Sequence, residues 1–175
     1  MLFRSVVIGG GMTAVDAAVQ SKKLGAEDVT IVYRRGQGDM SASGYEQDWA
    51  QKNGVKLKHW AAPKAILQNG EKISGVEFAY TRLDGAKLVE TGETFTLEAD
   101  VVLKAIGQNF VADDIGSTIE LTQGRIATDA QGRTSNSKVW AGGDCRFGGR
   151  DLTVEAVEHG KQAAFSIHAS MQTGA

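Results

Sequence analysis

A glycine-rich stretch at residues 6–18, VVIGGGMTAVDAA, restricts the possible folds of this chain more than any other part of its sequence. An apolar run leads into Gly9, and a helix-forming segment follows Gly11. In such a strand–turn–helix arrangement the first glycine permits a tight turn and the second lets a pyrophosphate approach the backbone. A small residue such as Ala14 lets the helix and the strand pack closely. The stretch therefore predicts the phosphate-binding turn of a dinucleotide fold.

The context of this turn favours binding over a purely structural role. We predict a strand over residues 5–8, a helix over 13–24 that Gly25 closes, and a second strand over 29–33. These elements complete a βαβ unit, whose ligand site lies at the carboxyl ends of its strands. The amides around Met12 and Thr13, at the start of the helix, would then face the phosphates.

Two arginines, Arg34 and Arg35, stand at the end of the second predicted strand. An NAD site usually has an acidic residue at this position, which holds the ribose 2′-hydroxyl. Two guanidinium groups suit a 2′-phosphate instead, so the residues favour NADP. A solvated pair of arginines at a strand end is the alternative that the sequence leaves open.

The composition excludes several classes of protein. The chain has 175 residues, of which 42% are hydrophobic, so it can bury a core. Its formal net charge of −2 gives no reason to expect a nucleic acid or an anionic membrane as partner. No apolar run is long enough for a bilayer or a signal peptide, so we expect a cytoplasmic location. The single cysteine, Cys145, excludes a disulfide or a multi-cysteine cluster within these residues.

The rest of the chain predicts an α/β protein with two domains. A helix is predicted over residues 43–53, short strands over 56–60, 65–68, 73–82 and 94–97, and a buried strand over 99–106. Ser43 and Glu46 fit a capping box at the start of the helix. Asn69-Gly70 and Asp84-Gly85 predict hairpins rather than crossovers between the short strands. We therefore expect a Rossmann-like domain over residues 1–107, with a parallel sheet and an antiparallel β-meander, and a second domain over 108–175.

A second nucleotide signature lies in the carboxyl-terminal domain. A strand predicted over residues 138–141 delivers Gly143 and Asp144 at its carboxyl end, where the glycine leaves room for a ligand and the carboxylate can accept from a sugar-like hydroxyl. A helix is predicted over 153–171, with Thr153 as a possible cap. Its positive end would stabilise an electron-rich ring, as in the binding of a reduced flavin. Alone, Gly-Gly-Asp is an ordinary turn.

Five segments in this order, GGGMTAVDAA, VTIVYRR, ADVVLKAIGQ, VWAGGDC and DLTVEAVEHGKQAA, resemble the two-dinucleotide flavoprotein reductases. Within that group they are similar to the branch shared by the glutamate synthase small subunit and dihydropyrimidine dehydrogenase. GGGMTAVD, KHW and GETFTLEADVVLKAIGQNFV most resemble the flavin-carrying subunit of bacterial NAD-dependent dihydropyrimidine dehydrogenase. The resemblance extends from Val6 to about Met171.

The resemblance implies a role for each matching residue. Residues 1–107 match the NAD(P)-binding domain, and 108–175 match the carboxyl-terminal part of the FAD-binding domain into which it is inserted. The implied cofactor-binding residues are Gly9, Gly11, Met12, Thr13 and Ala14 at the nicotinamide dinucleotide's pyrophosphate, Arg34 and Arg35 at its adenosine ribose, Gly143 and Asp144 at the FAD ribityl-pyrophosphate, Thr153 and Val154 near the isoalloxazine, and Ala105, Ile106 and Gly107 bordering both. Because hydride transfer needs juxtaposition rather than a side-chain acid, no catalytic residue and no metal ligand is expected.

The implied function is the transfer of a hydride from NAD(P)H to FAD. Electrons would then pass through iron–sulfur centres to an FMN- and iron–sulfur-containing partner subunit that reduces uracil or thymine to the 5,6-dihydropyrimidine. The alternatives are the electron-donating small subunit of glutamate synthase and, from another class, a non-catalytic NAD(P)-binding module.

The sequence departs from the family pattern in three respects. Met12 stands where many relatives have Asn or Asp, which indicates the pyrimidine branch. The family's amino-terminal FAD half and the iron–sulfur cysteines before it have no counterpart in these residues, so we expect the 175 residues to be a fragment, inactive alone. The closest subunit is NAD-dependent, whereas Arg34 and Arg35 favour NADP, and the arginine pair occurs in relatives of both kinds.

Overall fold

A four-stranded parallel sheet organises the first part of the chain. The computed structural model describes residues 3–113, 115 and 118–173. The strands and helices of this layer are β1 (Phe3–Ile8), α1 (Met12–Lys23), β2 (Ala26–Val32), α2 (Gly44–Lys52), β3 (Lys56–Lys58) and, later in the chain, β7 (Val101–Lys104). The sheet order is β3-β2-β1-β7, and each neighbouring pair is parallel. The predicted βαβ unit is confirmed.

Strand β3 belongs to this parallel sheet, whereas the sequence predicts it as one of the short strands joined by hairpins. Its backbone pairs with β2 from Thr30–Lys56 to Val32–Lys58. The physical reason is the apolar alternation of Val55 and Leu57, which both pack into the core shared with α1 and α2. The preceding helix α2 begins as predicted, because Ser43 and Glu46 form a reciprocal capping box.

A three-stranded antiparallel meander follows, and it confirms the predicted hairpins. It contains β4 (Ala61–Asn69), β5 (Lys72–Asp84) and β6 (Lys87–Glu98), in the order β4-β5-β6. Gly70 and Gly85 occupy the turns with φ of 65° and 60°, a region that glycine adopts at little cost. The strands are longer than predicted, because pairing continues through their polar ends.

The two sheets pack against each other and divide the core into two clusters. On one face of the parallel sheet, Val7 and Ile31 pack with the helices. On the other face, Val6 and Ile8 pack with a meander cluster that includes the fully buried Phe78. Because alternate residues of a strand point to opposite faces, β1 contributes to both clusters. The meander thus covers the face that a helix would otherwise cover.

Residues 108–175 form a separate compact unit. Its described elements are β8 (Leu121–Thr122), β9 (Arg125–Ile126) and α3 (Thr153–Thr173). The strand predicted over residues 138–141 is not formed: the structure has only a single bridge between Arg133 and Trp140. The backbone of this segment bonds instead to the preceding loop, through Thr134 N–Val139 O at 3.0 Å and Ala141 N–Gly132 O at 2.8 Å. In the part of the chain that the structure describes, no helix is long and apolar enough to cross a membrane.

Candidate functional site

The glycine turn at the end of β1 is shaped by a close approach of two strands. The Gly9 amide donates to Val32 O at 3.1 Å, and the Ala105 amide donates to Ile8 O at 2.8 Å. Gly9 has φ of +152°, and a Cβ at this position would lie 2.1 Å from Ala105 O. Only glycine therefore fits here, since neither backbone can move away without breaking the parallel sheet.

Helix α1 begins directly after this turn and leaves donors exposed. Gly11 is its N-cap, and its carbonyl accepts from the Ala14 amide at 3.0 Å. Ala14 is fully buried beneath the turn. Met12 and Thr13 are exposed, and within the described residues their amides donate to no protein acceptor. Such first-turn amides, at the positive end of a helix dipole, form a site for an anion.

Tyr33 closes one side of the turn, a role that sequence reasoning missed. A Cβ on Gly10 would lie 2.5 Å from the Tyr33 ring, so the ring packs against the backbone of the turn. The Tyr33 hydroxyl donates to Asp39 O at 2.8 Å. Gly10 O accepts from the Ala42 amide at 3.0 Å. These contacts join the glycine turn to the loop that follows β2.

Arg34 and Arg35 stand at the start of that loop, at the carboxyl edge of the parallel sheet. Arg34 is exposed and Arg35 half-buried. Within the described part of the chain, neither guanidinium forms an ion pair or a hydrogen bond with protein. Their carbonyls, in contrast, are both bonded: Arg34 O accepts from Thr81 Oγ1 at 2.7 Å and Arg35 O from the Trp60 amide at 3.1 Å. The backbone is held while the two charges stay available to a ligand.

Further contacts hold the rest of the loop that follows β2, from Gly36 to Met40. The Gly36 amide donates to the Asp39 carboxylate at 3.1 Å, across one turn of 3-10 helix. Nε2 of His59 lies 3.4 Å from the Met40 sulfur, and burial lowers the pKa of His59 below its usual value. A lowered pKa keeps this imidazole neutral at pH 7, so the positive charge of the loop comes from its arginines.

Ala105, Ile106 and Gly107 follow β7, next to the glycine turn. Ala105 contributes the carbonyl that excludes a side chain at Gly9. Ile106 is 64% exposed, which is unusual for a large apolar residue beside a site, and Gly107 has φ of +88°. Of the predicted site residues, the structure thus brings Gly9, Gly11, Met12, Thr13, Ala14, Arg34, Arg35 and Ala105–Gly107 to one edge of the parallel sheet.

The remaining predicted residues lie in the second unit. Gly143 has φ of +72°, and its amide donates to Nδ1 of His159 at 3.1 Å. Asp144 is exposed, and its backbone carbonyl accepts from Arg125. The Cys145 thiol donates to Gly142 O at 3.1 Å, which fits a packing role for this residue. His159 therefore anchors the Gly143–Asp144 turn to α3, a role that the scattered histidines of the sequence did not suggest.

The start of α3 differs from the prediction at one residue. Leu152 O accepts from the Ala156 amide at 3.0 Å, so Thr153 is the first helical residue and not the cap. The Glu155 carboxylate reaches back to the Arg150 amide at 2.9 Å. This bond and the Arg150 guanidinium lower the pKa of Glu155. Thr153 and Val154 are both exposed at the first turn.

Comparisons with known proteins agree with this geometry. Residues 3–160 match the family described as pyridine nucleotide-disulphide oxidoreductase. The chain is 36% identical to the small chain of glutamate synthase [NADPH] of Escherichia coli, over 94% of this chain and 38% of that protein. It is 31% identical to the beta subunit of the NADPH-Fe(3+) oxidoreductase of Geobacter sulfurreducens, over 97% of this chain and 30% of that protein.

A solved structure supports the same fold. Thioredoxin reductase from T. acidophilum superposes with a TM-score of 0.80 at 26% identity, over 97% of this chain and 53% of that chain. This likeness confirms the predicted fold class, a Rossmann-type fold with a parallel and an antiparallel sheet. The chain spans about half of that solved structure and less than two fifths of the two relatives.

The collision at Gly9 makes a prediction about stability. Gly9→Ala should lower the free energy of unfolding by about 3 kcal/mol or more, because the new Cβ meets a backbone carbonyl that cannot yield. Gly25→Ala is the matched control, since Gly25 also has a positive φ of 101° but opens into free space. Gly25→Ala should lower the free energy of unfolding by only about 1 kcal/mol. Urea denaturation followed by circular dichroism measures both, and equal losses would contradict the collision.

Proposed function

Because the chain belongs to the pyridine nucleotide-disulphide oxidoreductase family, we propose that it is an electron-transfer segment that binds NAD(P)H and contributes half of an FAD site. Family and fold imply both cofactors. The observation that carries the proposal is the conjunction of exposed first-turn amides at α1 with two unpaired arginines at the end of β2. The amides would bind the pyrophosphate, and the arginines would bind the adenosine ribose of the same dinucleotide.

The residues of the first unit fit a dinucleotide. Gly11 has no side chain and leaves the turn open. A Cβ built at this position would lie 3.1 Å from Ser41 Oγ and near no other atom of the described residues within 4 Å outside its chain neighbours. The Met12 and Thr13 amides would donate to the pyrophosphate oxygens. Arg34 and Arg35 would bind a ribose 2′-phosphate through charge-assisted hydrogen bonds, which favours NADPH over NADH.

The chain's own contribution to the reaction is binding and orientation. When both cofactors are bound, the reduced nicotinamide supplies a hydride that the flavin accepts. Gly9 and Ala105 set the shape of the turn, and the first turn of α1 fixes the pyrophosphate. The exposed Ile106 offers an apolar surface beside this turn. Because hydride transfer depends on the distance and alignment of two rings, this positioning is the catalytic contribution of the protein.

The second unit fits one part of a flavin site. The buried Gly143, with φ of +72°, and the exposed Asp144 present a turn with a carboxylate beside it. We assign the Asp144 carboxylate to a ribityl or ribose hydroxyl. The first amides of α3, at Thr153 and Val154, would lie near the isoalloxazine, where the positive end of the helix stabilises negative charge on a reduced ring.

Exposed apolar residues on α3 support completion of this site by further protein. Val154 is 78% exposed, Val157 67%, Phe165 65% and Met171 78%. In a complete domain, a helix buries such apolar residues against a neighbouring helix or sheet. Since the chain spans about half of the solved thioredoxin reductase, we propose that the other half of an FAD domain covers this face of α3.

For the electron acceptor we propose an FMN- and iron–sulfur-containing subunit that reduces uracil or thymine. Met12 in the glycine turn supports this branch, and the iron–sulfur centres would lie outside these residues. The second candidate is the electron-donating role in glutamate synthase, favoured by 36% identity to the small chain of that enzyme in E. coli. The third, a nucleotide-binding module without turnover, follows if the chain binds NAD(P)H and never retains flavin.

The arginine pair makes a prediction about dinucleotide selectivity. Arg34→Ala combined with Arg35→Ala should weaken NADPH binding by about 10- to 100-fold, because the 2′-phosphate loses its charged donors. NADH binding should change by less than about twofold, since NADH has no such phosphate. Lys72→Ala with Lys87→Ala, at exposed ends of the meander, removes the same charge as a control. Fluorescence titration of the parent chain and of both variants measures the affinities for NADPH and NADH. Equal losses of NADPH and NADH affinity in the arginine variant would contradict the assignment.

The flavin half-site makes a second prediction. Co-expressed with the part of the E. coli glutamate synthase small chain that lies outside the matched 38%, this chain should retain flavin and show bleaching of the flavin absorbance band on addition of NADPH. Asp144→Ala should abolish flavin retention and leave NADPH affinity unchanged, because the two sites use different residues. A pair that binds NADPH and stays colourless would support the non-catalytic module.

Co-purification distinguishes the two catalytic candidates. We expect the tagged chain, completed by its FAD half and expressed in the source organism, to recover an FMN-containing subunit that reduces uracil or thymine. Recovery of a glutamine amidotransferase subunit would instead establish the glutamate synthase role.

A further inference from the structure

Hydrogen bonds connect the arginine loop, residues 33–40 after β2, to Trp60 and to the antiparallel meander that begins at Ala61. Thr81 Oγ1 donates to Arg34 O at 2.7 Å, the Trp60 amide donates to Arg35 O at 3.1 Å, and the Thr81 amide donates to Trp60 O at 2.9 Å. Thr81 lies near the carboxyl end of β5, 47 residues from Arg34, and is 6% exposed. The buried Thr81 side chain of the antiparallel sheet therefore donates a hydrogen bond to the backbone of the loop that follows β2 of the parallel sheet.

Trp60 is held in an unusual conformation at the centre of this connection. Its φ is +58°, in the left-handed region that a residue with a bulky side chain rarely adopts. A Cβ on Gly36 would lie 2.9 Å from the Trp60 ring, so the indole packs on the loop directly after Arg35. Conformations of this kind persist only where surrounding contacts enforce them, and they concentrate at ligand sites.

We propose that Thr81 is a positioning residue that fixes the two-arginine loop for a 2′-phosphorylated dinucleotide and so sets selectivity for NADPH over NADH. The inference rests on the proposed function and extends it to a residue that does not touch the ligand. Arg34 O has Thr81 Oγ1 as its side-chain donor within the described residues. The carbonyls on either side, Tyr33 O and Arg35 O, accept from the Ala61 and Trp60 amides at 3.1 Å each, and Thr81 supplies the bond to the carbonyl between them.

The physical basis is preorganisation. An arginine side chain loses rotamer freedom when it binds a phosphate, and a mobile backbone adds a further entropic cost. Thr81 reduces that second cost before the ligand arrives, because it bonds Arg34 O and so adds to the hold of the Ala61 and Trp60 amides on the neighbouring carbonyls. NADH makes no use of the two guanidinium groups as phosphate ligands, so its affinity should be insensitive to Thr81.

Thr81→Val tests the proposal in the 175-residue chain, with NADPH and NADH as titrants. Valine keeps the shape and the backbone amide of Thr81 and removes the hydroxyl. NADPH affinity should fall by about 5- to 10-fold, the effect of one hydrogen bond, and NADH affinity by less than about twofold. Thr81→Ser retains the donor and should restore NADPH affinity. Thr81→Ala removes the donor without the added methyl and replaces the valine variant if that variant does not fold.

A double-mutant cycle separates positioning from a general structural effect. In the Arg34→Ala, Arg35→Ala background, Thr81→Val should have no further effect on NADPH, because it acts through those arginines. Equal losses of NADPH and NADH affinity in Thr81→Val, or no loss of either, would overturn the inference alone if the arginine variant has lost NADPH affinity selectively. If the arginine variant keeps the parent chain's affinities for NADPH and NADH, the arginine assignment and the inference fail together. If the parent chain binds neither dinucleotide, the proposed function itself fails.

Discussion

The packing of the antiparallel meander on the back of the parallel sheet is the interaction on which the rest of the first unit depends. Val6 and Ile8 of β1 face the cluster around Phe78, while Val7, between them, faces the helices. This two-sided burial fixes the register of β1 and therefore the place where its carboxyl end turns at Gly9. It also brings β5 close enough to hold the arginine loop, so one packing arrangement serves both ends of the proposed dinucleotide site.

The two ends of that site use different physical means. At the glycine turn, the structure excludes side chains and leaves backbone amides exposed, so that a pyrophosphate can approach the start of α1. At the arginine loop, the structure bonds the carbonyls and leaves the guanidinium groups available. In the second unit, His159 accepts from the Gly143 amide and the Asp144 side chain stays exposed.

Features that depend on neighbouring residues could be predicted from the sequence. The capping box of Ser43 and Glu46, the hairpin turns and the strand–turn–helix at Gly9 all follow rules that act over a few residues. Features that depend on distant partners could not. Strand β3 joined the parallel sheet through its apolar alternation, and residues 138–141 bonded to a loop instead of a strand. Thr81 looks like an ordinary strand residue until its partner 47 residues away is known.

A titration of the ¹⁵N-labelled chain with NADP⁺, followed by ¹H–¹⁵N correlation spectra, tests the central claim most directly. The account predicts that the largest chemical-shift changes occur at the amides of Met12 and Thr13 and in the Arg34–Gly36 segment, with NAD⁺ reproducing the first set and not the second. Changes confined to other surfaces, or an identical pattern for both dinucleotides, would contradict it.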